Sequence, residues 1–188
     1  GKVIILDSGH GGVDAGATGN QIIEKDLNLI LTRKLEKELV SRGATVYLTR
    51  EDDKDLSTTT VNRKRSDLYN RAKYINKISP NMYISIHLNS VTNSSWRGLQ
   101  VFYTTKSEEN KLIAETITNH LRKNMSNVRE IKKDNTYYMY KHITSPGVLI
   151  EAGFISNSND SYLLRNKEYQ DKLISSISDS IEIYFQKK

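Results

Sequence analysis

The sequence predicts an α/β fold with a largely parallel sheet flanked by helices. Short apolar runs of strand length alternate along the chain with segments whose apolar residues recur at helical spacing. That alternation is the mark of strands joined by helical crossovers. No repeat, low-complexity segment or long internal linker divides the 188 residues, so residues 1–188 are expected to form one domain. A chain of this length buries roughly 70% of its unfolded surface and needs no covalent staples. In such sheets, sites form at the carboxyl ends of the strands.

Each element has its own signal. Val3 to Leu6 is an apolar run of strand length. Glu24 to Ser41 reads as a helix, because Leu27, Ile30, Leu31, Leu35 and Leu39 fall near one face, and Gly43 stands where a helix stops. "ATVYLT" (44–49) is a second strand, and "EDDKDLSTTTVNRKRS" (51–66) reads as a long polar surface loop. "DLYNRAKYINKI" (67–78) is helical, and Pro80 bars its extension. "MYISIHL" (82–88) and "GLQVFYTT" (98–105) are the third and fourth strands, followed by a helix from Lys106 to Met125. "TYYMYK" (136–141) is an ambiguous short strand, and "GVLIE" (147–151) a fifth clear one. From Lys167 to Gln186, Ile174, Ile177, Ile181, Tyr184 and Phe185 repeat at helical spacing.

Composition narrows the chemistry. There is no cysteine, which excludes a disulfide scaffold and a cysteine-ligated zinc knuckle and fits an exported protein. The start at Gly1, directly ahead of a strand, reads as a processed or trimmed end. No apolar run approaches the ~20 residues of a membrane span. A net charge of +6 and a pI near 9.3 favour anionic partners, whether nucleic acid, wall polymer or a membrane surface, or reflect ordinary solubility. The basic stretches "NRKRSDLYNRAK" and "RNKEYQDK" interleave acids, read as solvated surface, and carry no nucleic-acid motif.

Four polar residues stand out by position. His10 follows the first strand in "SGHGG", His87 lies in the third, Glu151 ends the fifth, and Glu24 starts the first helix. A charged or imidazole group beside an apolar run is costly unless something pairs with it, and one shared partner would explain all four. A catalytic zinc site needs three protein ligands and an open position. His10, Glu24 and His87 supply that set, Glu151 a separate base, and Gly9, Gly11 and Gly12 a tight turn that aims the imidazole inward. Each residue also has a plain reading: strand-end histidines in packing, Glu24 as a helix N-terminal acid, Glu151 in an ion pair. A phosphate cradle in "SGHGG" is weaker, since no P-loop pattern occurs and no helix starts behind the glycines. His120 reads as half-buried packing, His142 as a loop residue within reach of a site mouth, and Trp96 as a carbohydrate platform or loop packing.

A family resemblance covers nearly the whole chain in order. "LDSGHGGVDAGATG", "EKDLNL", "LTR", "LYNRAKYIN", "MYISIHLNS" and "SPGVLIEAGFISNSND" resemble the successive motifs of the zinc-dependent N-acetylmuramoyl-L-alanine amidases, bacterial cell-wall hydrolases. The resemblance implies a twisted, mostly parallel sheet of about six strands with helices on both faces. It implies one Zn2+ per chain on His10, Glu24 and His87, with Glu151 as the catalytic glutamate. It implies hydrolysis of the amide between N-acetylmuramic acid and L-alanine in peptidoglycan, outside the cytoplasm, with an activator protein among the partners of some relatives. "DKDLSTTTVNRKRS" and "WRGLQVFY" are most similar to the subgroup that remodels spore cortex towards muramic-δ-lactam for germination. Where many relatives carry Arg-Gly, Arg129 is followed here by Glu130, which bears on stem-peptide preference. The rival readings are a zinc peptidase or deacetylase of the wall using the same ligands, and a partner-regulated wall-binding module with little activity alone.

Overall fold

The computed structural model describes residues 1–188. Its elements run β1 (Val3–Ser8), β2 (Thr18–Gly19), β3 (Ile22–Ile23), α1 (Glu24–Ser41), β4 (Thr45–Leu48), α2 (Arg63–Ile78), β5 (Met82–Asn89) and β6 (Gln100–Tyr103). There follow α3 (Glu108–Asn124), β7 (Lys132–Lys133), a 3-10 turn (Tyr138–Lys141), β8 (Gly147–Phe154), α4 (Ser158–Arg165) and α5 (Lys167–Gln186). Six strands form one sheet in the order β4-β1-β5-β8-β6-β7. β1 pairs in parallel with β4 and β5, and β5 with β8. β6 runs antiparallel to β8, and β7 lies parallel to β6. The mostly parallel α/β architecture is therefore the one expected. No helix is long and apolar enough to cross a membrane.

Side chains alternate across a strand, and here the alternation separates core from chemistry. Met82, Ile84, Ile86 and Leu88 of β5, with Val148, Ile150 and Ala152 of β8, join the core built on α1, α3 and α5. On the opposite face Ile5, Tyr83 and Leu149 pack with Ala72 and Ile75 of α2. Asp7, Ser85, His87 and Glu151 share the parity of this second face, at the carboxyl end of the sheet.

Several segments depart from the sequence reading. "TYYMYK" is no strand: Tyr138–Lys141 form a 3-10 turn. The Lys106 ammonium gathers the carbonyls of Tyr140, Lys141 and Ile143 at 3.0, 2.8 and 3.1 Å, which satisfies acceptors that a strand would have aimed at a neighbour. The polar loop ends earlier than expected, because α2 begins at Arg63, where Arg63 is paired with Asp55 at 2.8 Å. α4 and the β2–β3 hairpin carry too few apolar residues for periodicity to reveal them. α4 is set instead by its cap, with Asn157 Oδ1 accepting from the Asp160 N–H at 3.0 Å.

Candidate active site

The site begins where β1 stops. His10 has φ +62°, Gly11 +133° and Gly12 +58°. A left-handed histidine is uncommon and costs on the order of 1 kcal/mol, so something must hold it. Two buried arginines do. Arg71 donates to the carbonyls of Ser8 and His10, each at 2.6 Å, and Arg50 to those of Ser8 and Gly9 at 3.0 and 3.1 Å. Arg71 is itself neutralised by Asp7 at 3.0 Å and Asp67 at 2.9 Å. Gly9 serves a different purpose: a Cβ there would lie 2.3 Å from Cε1 of His87. A Cβ on Gly16 would meet Oε2 of Glu24 at 2.6 Å and Cδ2 of His10 at 2.7 Å. The glycines thus clear room for the side chains around them.

His10, Glu24 and His87 converge as the sequence reading placed them. Nε2 of His10 lies 3.1 Å from Oε1 of Glu24, and Nδ1 of His87 lies 3.3 Å from the same oxygen. Their ligand atoms all fall within 4.8 Å of one another. Three donors about 2.0–2.1 Å from one cation at tetrahedral angles sit about 3.3 Å apart, and the two imidazole–carboxylate distances match that spacing. Nε2 of His87 is buried without a hydrogen-bond partner. Glu24 is oriented by backbone: Oε1 accepts from the Leu88 N–H at 3.0 Å and Oε2 from the Ala17 N–H at 2.8 Å. The residues present fit a divalent cation held by nitrogen and oxygen donors.

Electrostatics follow from this packing. Burial opposes ionisation of Glu24, but hydrogen bonds from His10 and His87 outweigh it and hold the carboxyl well below its usual range. Burial opposes charging of His10, and Glu24 with Asp14 overcome it, raising its pKa. Glu151 behaves oppositely. It is the register partner of His87 across β5 and β8, and its Oε2 is buried with no hydrogen-bond partner. Burial, then the charge on Glu24, push its pKa up to about 8, against a smaller pull from His10. It lines a cavity of about 180 Å³ with His10 and His87, walled by Leu68, Phe102, Tyr137, Tyr140 and Leu149 and rimmed by Asp14, Lys64, Asp67 and Asp134. Two carboxylates near one cluster therefore have separate states. Glu24 is anionic and surrounded by donors, while burial gives the Glu151 carboxylate a raised proton affinity, which makes it the stronger base of the two.

Sequence reasoning missed Asp14, whose Oδ2 lies 2.9 Å from Nδ1 of His10; an acid four residues beyond a candidate ligand histidine in a glycine-rich loop was the available signal. It also missed Tyr137, whose ring meets His87 edge-on at 6.1 Å. His142 does not line the cavity; it packs between Tyr69 and Tyr138 at 5.3 and 4.8 Å. His120 is half-buried on α3, 3.6 Å from Asp179. Trp96 is exposed on the turn before β6.

Known proteins resemble this chain in sequence and fold. Residues 4–183 match the family described as N-acetylmuramoyl-L-alanine amidase. The germination-specific N-acetylmuramoyl-L-alanine amidase of Bacillus subtilis (strain 168) is 42% identical over 100% of this chain and 81% of that protein. The CwlD amidase from Clostridioides difficile, solved in complex with the GerS lipoprotein, superposes with a TM-score of 0.94 at 38% identity, covering 100% of both chains. The catalytic domain of CwlV from Bacillus (Paenibacillus) polymyxa var. colistinus gives 0.86 at 29% identity, over 100% of this chain and 99% of that one. The family match leaves only the chain ends outside it, and the protein belongs to the N-acetylmuramoyl-L-alanine amidase family: it is a peptidoglycan amidase.

Proposed function

We propose that this amidase works with one zinc ion per chain held by His10, Glu24 and His87, that Glu151 is its general base, and that residues 1–188 form one catalytic domain. The observation that carries the reading is the convergence of two imidazole nitrogens on one carboxylate oxygen at 3.1 and 3.3 Å, beside a carboxyl oxygen left without a partner. Bound there, zinc supplies a Lewis acid and makes water more acidic near neutral pH.

The chain's residues do the rest. Asp14 fixes the His10 tautomer by accepting from Nδ1, which leaves Nε2 free to ligate. The Leu68, Phe102 and Leu149 wall excludes water from one side of the scissile amide. Glu151 takes a proton from the attacking water as oxygen bonds to the amide carbon, then delivers it to the nitrogen as the C–N bond breaks. The products are the lactyl carboxylate of muramic acid and a free L-alanine amine, and the base returns to its starting state.

The relative named germination-specific supports spore cortex as the substrate, with stem-free muramic acid passed on towards the δ-lactam, and supports a location outside the cytoplasm. The relative solved with a lipoprotein supports a protein activator. Digestion of purified cortex tests the proposal. Zinc-loaded protein should release intact stem peptides with a new L-alanine amine, and metal-stripped protein should not. Full turnover after stripping, or new amines only on D-alanine or diaminopimelate, would overturn it.

A further inference from the structure

We propose that Trp96 is a sugar-stacking platform that holds the glycan strand of peptidoglycan beside the catalytic cavity; the inference rests on the amidase reading of that cavity. Trp96 is the chain's only tryptophan and is 48% exposed, yet it is firmly fixed. One side of the indole carries the Arg129 guanidinium, 4.6 Å from the ring centre, and that guanidinium also lies 5.6 Å from the ring of buried Phe154. Arg129 is anchored in turn: its N–H donates to the Leu99 carbonyl at 2.8 Å and its Nη1 to the Arg97 carbonyl at 3.3 Å.

The turn that presents the ring is built to stay in place. The Trp96 N–H donates to the Asn93 carbonyl at 3.2 Å, and the Asn93 side chain accepts from the N–H and hydroxyl of Ser95 at 3.0 and 2.7 Å. Asn157 donates to the Ser94 carbonyl at 2.8 Å. Gly98, at φ +105°, lies so close to the Asn127 carbonyl that a Cβ would be 2.1 Å from its oxygen. A solvated loop needs none of this, whereas a preorganised aromatic face loses little entropy when a ligand meets it.

Position and chemistry identify the ligand. Gln100, four residues after Trp96, is the register partner of Glu151, so at most about 14 Å of chain separates the platform from the strand pair that carries the base. The neighbours of the indole, from Ser90 to Ser95, are exposed and mostly hydroxyl or amide residues. A stable protein interface covers roughly 800 Å² per partner, which one indole in a polar run does not offer. A sugar ring fits better: its C–H face meets the electron-rich face of the indole, and its hydroxyl rim meets the polar neighbours.

The lone tryptophan makes the test direct, because selectively excited emission reports on the platform alone. Stem-free oligosaccharides of N-acetylglucosamine and N-acetylmuramic acid should shift that emission saturably in the zinc-loaded protein. They carry no scissile amide, so binding is read independently of whether the chain cleaves anything. Trp96→Ala should raise KM on intact glycan strands about 10-fold with kcat unchanged and leave hydrolysis of muramyl dipeptide as it was; Trp96→Phe should recover part of the loss. Emission unmoved by the oligosaccharides, an equal loss on both substrates, or a shift produced only by a protein partner would overturn the proposal.

Discussion

A methyl group on Gly9 would lie 2.3 Å from Cε1 of His87 and 2.5 Å from its Nε2, so the glycine that follows β1 and the imidazole on β5 share space that no other side chain can enter. The imidazole cannot retreat, because it is buried against the sheet. Gly9→Ala should therefore displace a ligand and lower zinc affinity by 10-fold or more, on the order seen when ligand orientation is lost, while far-ultraviolet dichroism stays native. Gly43→Ala is the control. Nothing lies within 4 Å of a Cβ there, but φ is +86°, so it should cost about 1 kcal/mol of stability and leave zinc titrations unchanged.

Glu151→Gln keeps the size of the side chain and removes the base. The variant should fold and bind zinc about as well as the parent, while turnover falls by roughly 10² or more. Metal content and rate measured on one preparation decide the matter. Zinc lost together with activity would make Glu151 a ligand, and near-normal turnover with zinc bound would remove it from the mechanism.

Asp14 tests the support behind the ligands. It holds Nδ1 of His10 at 2.9 Å and lies 3.9 Å from the more exposed Lys64. Asp14→Ala should reduce zinc affinity about 10–100-fold, with melting of the metal-free protein little changed. Competition against a chromophoric chelator measures the first quantity and calorimetry the second.

Asp7 links the site loop to pH. Burial opposes its ionisation, but the Arg71 charge outweighs that, joined by hydrogen bonds from Ser85 and Thr49, so its folded pKa is depressed. A depressed carboxyl contributes stability that is present above the unfolded value of about 3.9 and is lost as pH falls through the folded one. Urea unfolding of the parent should weaken steadily below about pH 4. Asp7→Asn should be less stable by about 3 kcal/mol near neutrality, because Arg71 keeps only Asp67 in a buried setting, and its stability should fall less steeply in acid.

Much of the candidate site was legible because strand ends and glycine clusters mark the chain directly: His10, His87 and Glu151 each interrupt or close an apolar run, and a polar residue there has no cheap explanation. α1 and α5 were legible because Leu27, Leu31, Leu35 and Leu39, and Ile174, Ile177 and Ile181, repeat at helical spacing and are buried, whereas Ile30, read near the same face, is exposed. The turn at Tyr138–Lys141 was not, because what fixes it is the ammonium of Lys106, more than thirty residues away. The antiparallel β6 was equally hidden, as a short apolar run carries no mark of its direction. Tyr137 escaped for the same reason as the turn that places it.

The most direct measurement is an anomalous difference map at the zinc edge from crystals of the zinc-loaded protein. The account predicts one peak per chain, about 2.0–2.2 Å from Nε2 of His10, a Glu24 carboxylate oxygen and Nδ1 of His87, with Glu151 facing it but uncoordinated. A peak elsewhere, or one in which Glu151 takes the place of any of the three, would contradict it.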